Sequence, residues 1–168
     1  MPVYSRISSS EYATKYALSP NPAYPPYPND CTSFVSQALF AGGWTMIDGG
    51  RADSTVWWWG LSVWSKASYT WGGAENLSQF LATSGRAKAC TEAELKLGDV
   101  VQVSHGGSVH HSTIVTKAGI CTTEGDGPFL SYHTNNTLNI DLAKFKARYP
   151  PTVAATFLYW KILDVFTS

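Results

Sequence analysis

One cysteine and a small set of histidines and asparagines are the residues in this chain equipped for covalent chemistry. Cys31 lies in the run Asn29-Asp30-Cys31-Thr32-Ser33-Phe34-Val35-Ser36-Gln37-Ala38-Leu39. Phe34, Val35, Ala38 and Leu39, with Ala41, recur at helical spacing, and Gly42-Gly43 supplies a stop. Asn29 or Asp30 is a good N-cap, which sets the sulfur among unpaired backbone N–H groups at the positive end of the helix dipole. That setting favours the thiolate, the nucleophilic form of cysteine. The bland alternative is a small apolar residue buried in a core helix.

A cysteine nucleophile needs a base to take its proton and return it to the leaving group, and a third residue to orient that base. His105 sits among Gly106-Gly107-Ser108, a hairpin-loop sequence, and is expected to be solvated rather than catalytic. His110 and His111 are adjacent, and neighbouring side chains on a strand point to opposite faces. Only one of them can face a helix packed on the sheet. His111 is preferred, because it begins a strand in which Thr113 and Val115 alternate with Ile114 and Thr116, although periodicity alone does not decide. His133 ends the next strand and can lie beside His111 if the two pair antiparallel. Asn135 and Asn136 follow and could do the same work through an amide oxygen.

These residues must be held by elements that the sequence also outlines. Ser8 and Glu11 form a capping box for a first helix running to about Leu18. Residues 20–30 are proline-dense (Pro20, Pro22, Pro25, Pro26, Pro28), so they form a stiff extended loop that presents the Cys31 helix. Residues 44–73 hold Trp57-Trp58-Trp59, Trp64 and Trp71 without a convincing period. A stretch of that length reads as a functional insertion or groove wall, with Trp57, Trp58 and Trp71 lining the substrate groove. A helix over 74–84 follows, with Leu77, Phe80 and Leu81 on one face. Beyond the Leu97-Gly98-Asp99 turn come strands at 100–103, 111–116 and 129–134, a short helix at 141–147 and a strand at 157–163. The links between strands are too short for crossover helices, so the sheet is expected to be antiparallel and the fold α+β, one domain over 1–168.

Composition narrows the function classes. The chain has 168 residues, 44% of them apolar and 14% charged, which fits a globular domain rather than a disordered one. Twelve Lys and Arg balance twelve Asp and Glu, so no net field draws in nucleic acid or an anionic membrane. No apolar run approaches a membrane span. The N-terminal run Met1-Pro2-Val3-Tyr4-Ser5-Arg6 lacks the order of a signal peptide. This leaves a cytoplasmic protein, or a domain of a longer or specially exported chain. Cys90 and Cys121 could pair, which spacing does not settle. No cysteine or histidine spacing suits zinc, and no motif calls for a metal or cofactor.

The Cys31 run, Leu97-Gly98-Asp99-Val100-Val101-Gln102, His111-Ser112-Thr113-Ile114-Val115-Thr116 and Ser131-Tyr132-His133-Thr134-Asn135 together resemble the bacterial putative amidase domain family, from about Tyr12 to Trp160. That family is grouped with papain-like cysteine peptidases and amidases, as a relative of the NlpC-type and CHAP-type cell-wall hydrolases. The resemblance implies a papain-like fold, with the nucleophile helix packed on an antiparallel sheet. It implies Cys31 as nucleophile, His111 as base and His133 as the third residue, with Asn135 the other candidate. The family pattern often has an acidic residue before the base, where this chain has His110. An oxyanion hole would combine the Cys31 N–H with a donor from the proline loop, Tyr24 or Tyr27. The implied substrate is a peptidoglycan stem or cross-bridge amide, cut through a thioester in the periplasm or cell wall after export. A delivered antibacterial effector, with an immunity protein as partner, fits that picture. Two other readings stand beside it: transamidation or deamidation of a protein substrate by the same residues, and a non-catalytic module gripping glycan or peptide.

Overall fold

The computed structural model describes residues 1–120 and 122–166. Cys121, and with it the pairing considered for Cys90, lies outside the described residues. Helix α1 (Arg6–Tyr16) starts one turn earlier than its capping box suggested: Ser5 is the cap and its hydroxyl accepts the Ser8 N–H, so Ser8 is already helical. Helix α2 (Cys31–Ala41) is the expected nucleophile helix and begins at Cys31 itself. The short α3 (Tyr69–Gly72) runs into α4 (Ala74–Thr83), which buries Leu77, Phe80 and Leu81 as the spacing predicts.

The strands are β1 (Ala87–Ala89), β2 (Val100–His105), β3 (Ser108–Lys117), β4 (Phe129–Tyr132), β5 (Thr137–Asp141) and β6 (Thr156–Ile162), with helix α5 (Leu142–Ala147) after β5. They form one open antiparallel sheet in the order β1-β6-β2-β3-β4-β5. The fold is α+β, as expected. Alternation along the strands serves two cores. Val100, Ile114, Trp160 and Ile162 pack under Phe34, Val35, Ala38 and Leu39 of α2 and the apolar face of α4. Val101, Val103, Val115, Leu130 and Tyr132 pack on the other face against Leu142 and Phe145 of α5.

Trp57, Trp58 and Trp71 are core rather than groove, which corrects the expectation for these three. All three are at most 2% exposed. Their indole N–H groups are satisfied inside: Trp57 donates to Ser36 Oγ, Trp71 to Ser33 Oγ and Trp58 to the Gly49 carbonyl, each at 3.1 Å. Ser33 and Ser36, three apart on α2, thus accept from the tryptophans that cover them. The apolar bulk and the polar tip of each indole are both used up, so neither remains for a substrate.

The Gly-Asp turn is a latch. Gly98 has φ +76°, a conformation that suits glycine, and its carbonyl accepts the Tyr4 hydroxyl at 2.8 Å. Asp99 is fully buried, pairs with Arg6 at 2.7 Å and accepts the N–H groups of Lys96 and Ile162. One carboxylate therefore ties α1, the start of β2 and the end of β6 together. Among the described residues no helix is long and apolar enough to cross a membrane.

Candidate active site

Cys31 opens α2 with its side chain nearly buried, 4% exposed, and its Sγ 3.8 Å from Thr32 Oγ1. Thr32 fixes the head of the helix to the sheet, its hydroxyl 2.9 Å from Ser112 Oγ on β3. Gln102 on β2 braces the same point, donating to Ser112 Oγ and to the Ala74 carbonyl, each at 3.0 Å, while accepting the Trp160 indole N–H. On the other side Asn29 takes φ +64°, a left-handed value that asparagine tolerates, and so turns the proline loop into the helix.

Asp30 precedes the helix but makes no side-chain cap. Its carboxylate is spent on His133, Oδ2 to Nδ1 at 3.0 Å. The other ring nitrogen of His133 faces the Tyr16 carbonyl at 2.8 Å, and the ring stacks on Phe34 at 4.1 Å between centroids. With both nitrogens committed, His133 is joined to the α2 head and not to another histidine. The uncapped first turn leaves the Cys31 N–H among free donors, the feature an oxyanion hole needs.

The β2–β3 register assigns faces to the two adjacent histidines. Val103 opposes His111, and Val103 belongs to the core under α5, so His111 lies on that face and not on the face that packs α2. This corrects the expectation that His111 faces the nucleophile helix. Its ring meets Tyr132 edge-on at 4.8 Å and Phe145 at 6.1 Å. Burial holds the imidazole down at about 4, so it is neutral at physiological pH. A register shift follows Val103, with Ser104 opposing Val109, so His110 is an extra residue in β3. Val109 and His110 both reach the side of Cys31. His110 Nε2 meets the His105 carbonyl at 3.1 Å and its ring stacks on His105 at 4.1 Å.

Two separate cavities hold Cys31 and His111. One of about 450 Å³ has Cys31 in its wall together with Asn29, Thr32, Val109, His105 and His110. The other, about 320 Å³, holds His111 with Tyr132, Asn135 and Tyr149. Asn135 thus shares a cavity with His111, while Asn136 lies in a different one beside His133. Burial pushes the Tyr149 phenol up, with the Tyr132 and Cys31 charges adding and Arg148 opposing. Burial also raises the Tyr27 phenol; Ser33 opposes, and the Asp30 and Cys31 charges add to the rise. It stays a protonated donor at neutral pH. Tyr24 is occupied in packing against Trp59 and Trp71. Among the described residues no cluster of His, Cys, Asp and Glu could hold a metal ion.

Sequence reasoning missed Tyr149, the Thr32–Ser112 tie and the Asp30–His133 pair. The last had a signal, a carboxylate directly before the nucleophile and a histidine at a strand end. Tyr149 had none, since it follows a short helix far along the chain.

An α+β domain with a cysteine at a helix head and histidines on the adjoining strand is the class that fold and site define. Residues 3–154 match the family described as "Putative amidase domain", and the chain belongs to that family, whose description points to amide hydrolysis in general. The chain is similar to two proteins of Bacillus subtilis (strain 168). Uncharacterized protein YhbB is 30% identical over 163 residues, 93% of this chain and 50% of the relative. Uncharacterized protein YjcM is 30% identical over 151 residues, 82% of this chain and 32% of the relative. The chain thus spans half the length of the first relative and about a third of the second. No solved structure matches it.

Proposed function

We propose that the domain is a papain-like, cysteine-dependent amide hydrolase acting on peptidoglycan stem or cross-bridge peptides outside the bacterial cytoplasm. The observation that carries this reading is the placement of Cys31: a nearly buried thiol at an uncapped helix head, walled by a cavity it shares with a histidine. The histidine takes the thiol proton and the thiolate attacks the amide carbonyl carbon. The resulting oxyanion is held by the Cys31 N–H and the Tyr27 hydroxyl. The C–N bond breaks as the amine leaves with the proton from the histidine. Water, deprotonated by the same histidine, then cleaves the thioester and frees the carboxylate.

The family resemblance implies His111 as this base, although its ring lies on the α5 face of the sheet and in a cavity separate from that of Cys31. It is neutral at physiological pH and Asn135 stands in its cavity to orient it. A specific observation favours His110 instead: it shares the cavity with Cys31, and its Nε2 against the His105 carbonyl leaves Nδ1 as the acceptor. Substituting each histidine by alanine and following release of peptidoglycan fragments by mass spectrometry separates the two. The base substitution lowers kcat by roughly 10²–10⁴-fold and the other does not. Fragment masses test the reaction as well. Cleaved amides support hydrolysis, whereas an intact chain gaining ~1 Da, or a cross-linked product, would replace it with deamidation or transamidation.

A further inference from the structure

The largest cavity beside the site is not the one that holds Cys31. It measures about 540 Å³ and meets the Cys31 cavity at Gly72, which lines both. Its walls include Tyr27, Trp59, Tyr69 and Asn76, and two cations, Arg51 and Lys66. No aspartate or glutamate lines it, and neither cation has an ion-pair partner among the described residues. Two unpaired positive charges facing one concavity, with low-dielectric aromatic walls, concentrate an anion there.

The walls are held in place before any ligand arrives. Trp59 leans on Tyr24 at 5.2 Å and on the buried Trp71 at 6.1 Å. The Arg51 guanidinium lies over the Tyr69 ring at 4.8 Å, and the Arg51 carbonyl accepts the Tyr69 N–H at 2.9 Å. The Lys66 carbonyl accepts the Gly60 N–H at 2.7 Å, next to a bridge between Trp59 and Ala67. At the junction with the Cys31 cavity, a Cβ on Gly72 would stand 3.1 Å from the Tyr27 hydroxyl, so bare backbone separates the two spaces. A guanidinium fork with an ammonium beside it suits a carboxylate, and the aromatic faces suit the aliphatic stem that carries one.

We propose that this cavity is a substrate subsite for a carboxylate-bearing residue of a peptide. Arg51 and Lys66 take the carboxylate, Trp59 and Tyr27 cover its stem, and the neighbouring amide reaches Cys31. The assignment of the subsite to substrate rests on the reading of Cys31 as nucleophile.

The test uses the Cys31→Ala protein, so that binding is read without turnover, with N-acetyl-alanyl-glutamate and N-acetyl-alanyl-glutamine, both as C-terminal amides, as probes that differ only in the side-chain carboxylate. Calorimetric titration is expected to show the glutamate peptide binding at least tenfold tighter, with the Trp59 indole N–H resonance shifting on saturation. Arg51→Gln combined with Lys66→Gln should abolish the preference. In the active protein the same pair should raise KM for carboxylate-bearing substrates with little change in kcat. Equal binding of the two probes, no binding of either to the folded protein, or a preference that survives the double substitution overturns the subsite. Cys31-dependent hydrolysis without any carboxylate preference overturns the subsite alone. A carboxylate preference in a protein that hydrolyses nothing leaves the anion site standing and removes the catalytic reading.

Discussion

Asp30 Oδ2 stands 3.0 Å from His133 Nδ1, so the residue before Cys31 is clamped just past the end of β4 by a buried hydrogen bond rather than released to cap its own helix. His133→Phe keeps the stack on Phe34 but strands the Asp30 carboxylate and the Tyr16 carbonyl. It is expected to cost about 3 kcal/mol of unfolding free energy in urea melts. Asp30→Asn, which retains an acceptor, should cost less, and the double variant should fall short of the sum of the two singles. A His133→Phe protein as stable as the wild type would remove the clamp from the account.

His111 gives the fold a defined pH response. Burial holds its imidazole at about 4 against an ordinary 6.5, so the unfolded chain binds the proton more readily. The contribution is fully present above about pH 6.5 and is lost as pH falls toward 4, amounting to about 3 kcal/mol at most. Urea midpoints between pH 7 and pH 4.5 should fall less steeply for His111→Gln than for the wild type. Parallel curves for the two proteins would contradict the burial argument.

Asp99 shows what the Gly-Asp turn does. Asp99→Ala leaves Arg6 and two backbone N–H groups without their acceptor in the interior. It is expected to destabilise by about 3–5 kcal/mol. Whatever folded fraction remains, measured by circular dichroism, should hydrolyse substrate with an unchanged KM, because the latch lies away from the cavities of Cys31 and His111.

The two kinds of tryptophan should separate in the same way. Trp57→Ala removes a fully buried indole and its bond to Ser36, at an expected cost of about 3–5 kcal/mol. Trp59→Ala, on the wall of the large cavity, should cost less stability and act on KM instead. Thermal melts alongside Michaelis curves give the comparison.

The elements with a clean period were legible in the sequence. The Cys31 helix, the 74–84 helix, four of the six strands among the described residues and the short helix at 141–147 stand close to where hydrophobic spacing put them, whereas β1 and β5 were not foreseen and His133 and Thr134 lie beyond the end of β4. The β-bulge was not legible. An extra residue at His110 carries no propensity signal, yet it decides which residues share the face of Cys31. The role of the tryptophans was equally hidden, because an aperiodic aromatic run reads the same whether it lines a groove or fills a core. Ser33 and Ser36 on a helix that carries Phe34, Val35, Ala38 and Leu39 were the available clue, since a buried hydroxyl needs a partner and an indole N–H supplies one. Each half of the Asp30–His133 pair had a local signal, but the two lie 103 residues apart, so nothing local joined them.

Digestion of purified peptidoglycan by the wild type and by Cys31→Ala, with released fragments identified by mass spectrometry, decides whether Cys31 is the nucleophile. Circular dichroism on both proteins assures that each is folded. Amide-cleaved peptides are expected from the wild type, with release from Cys31→Ala slower by roughly a thousandfold or more. Release of the same fragments at the same rate by both proteins would contradict that role for Cys31.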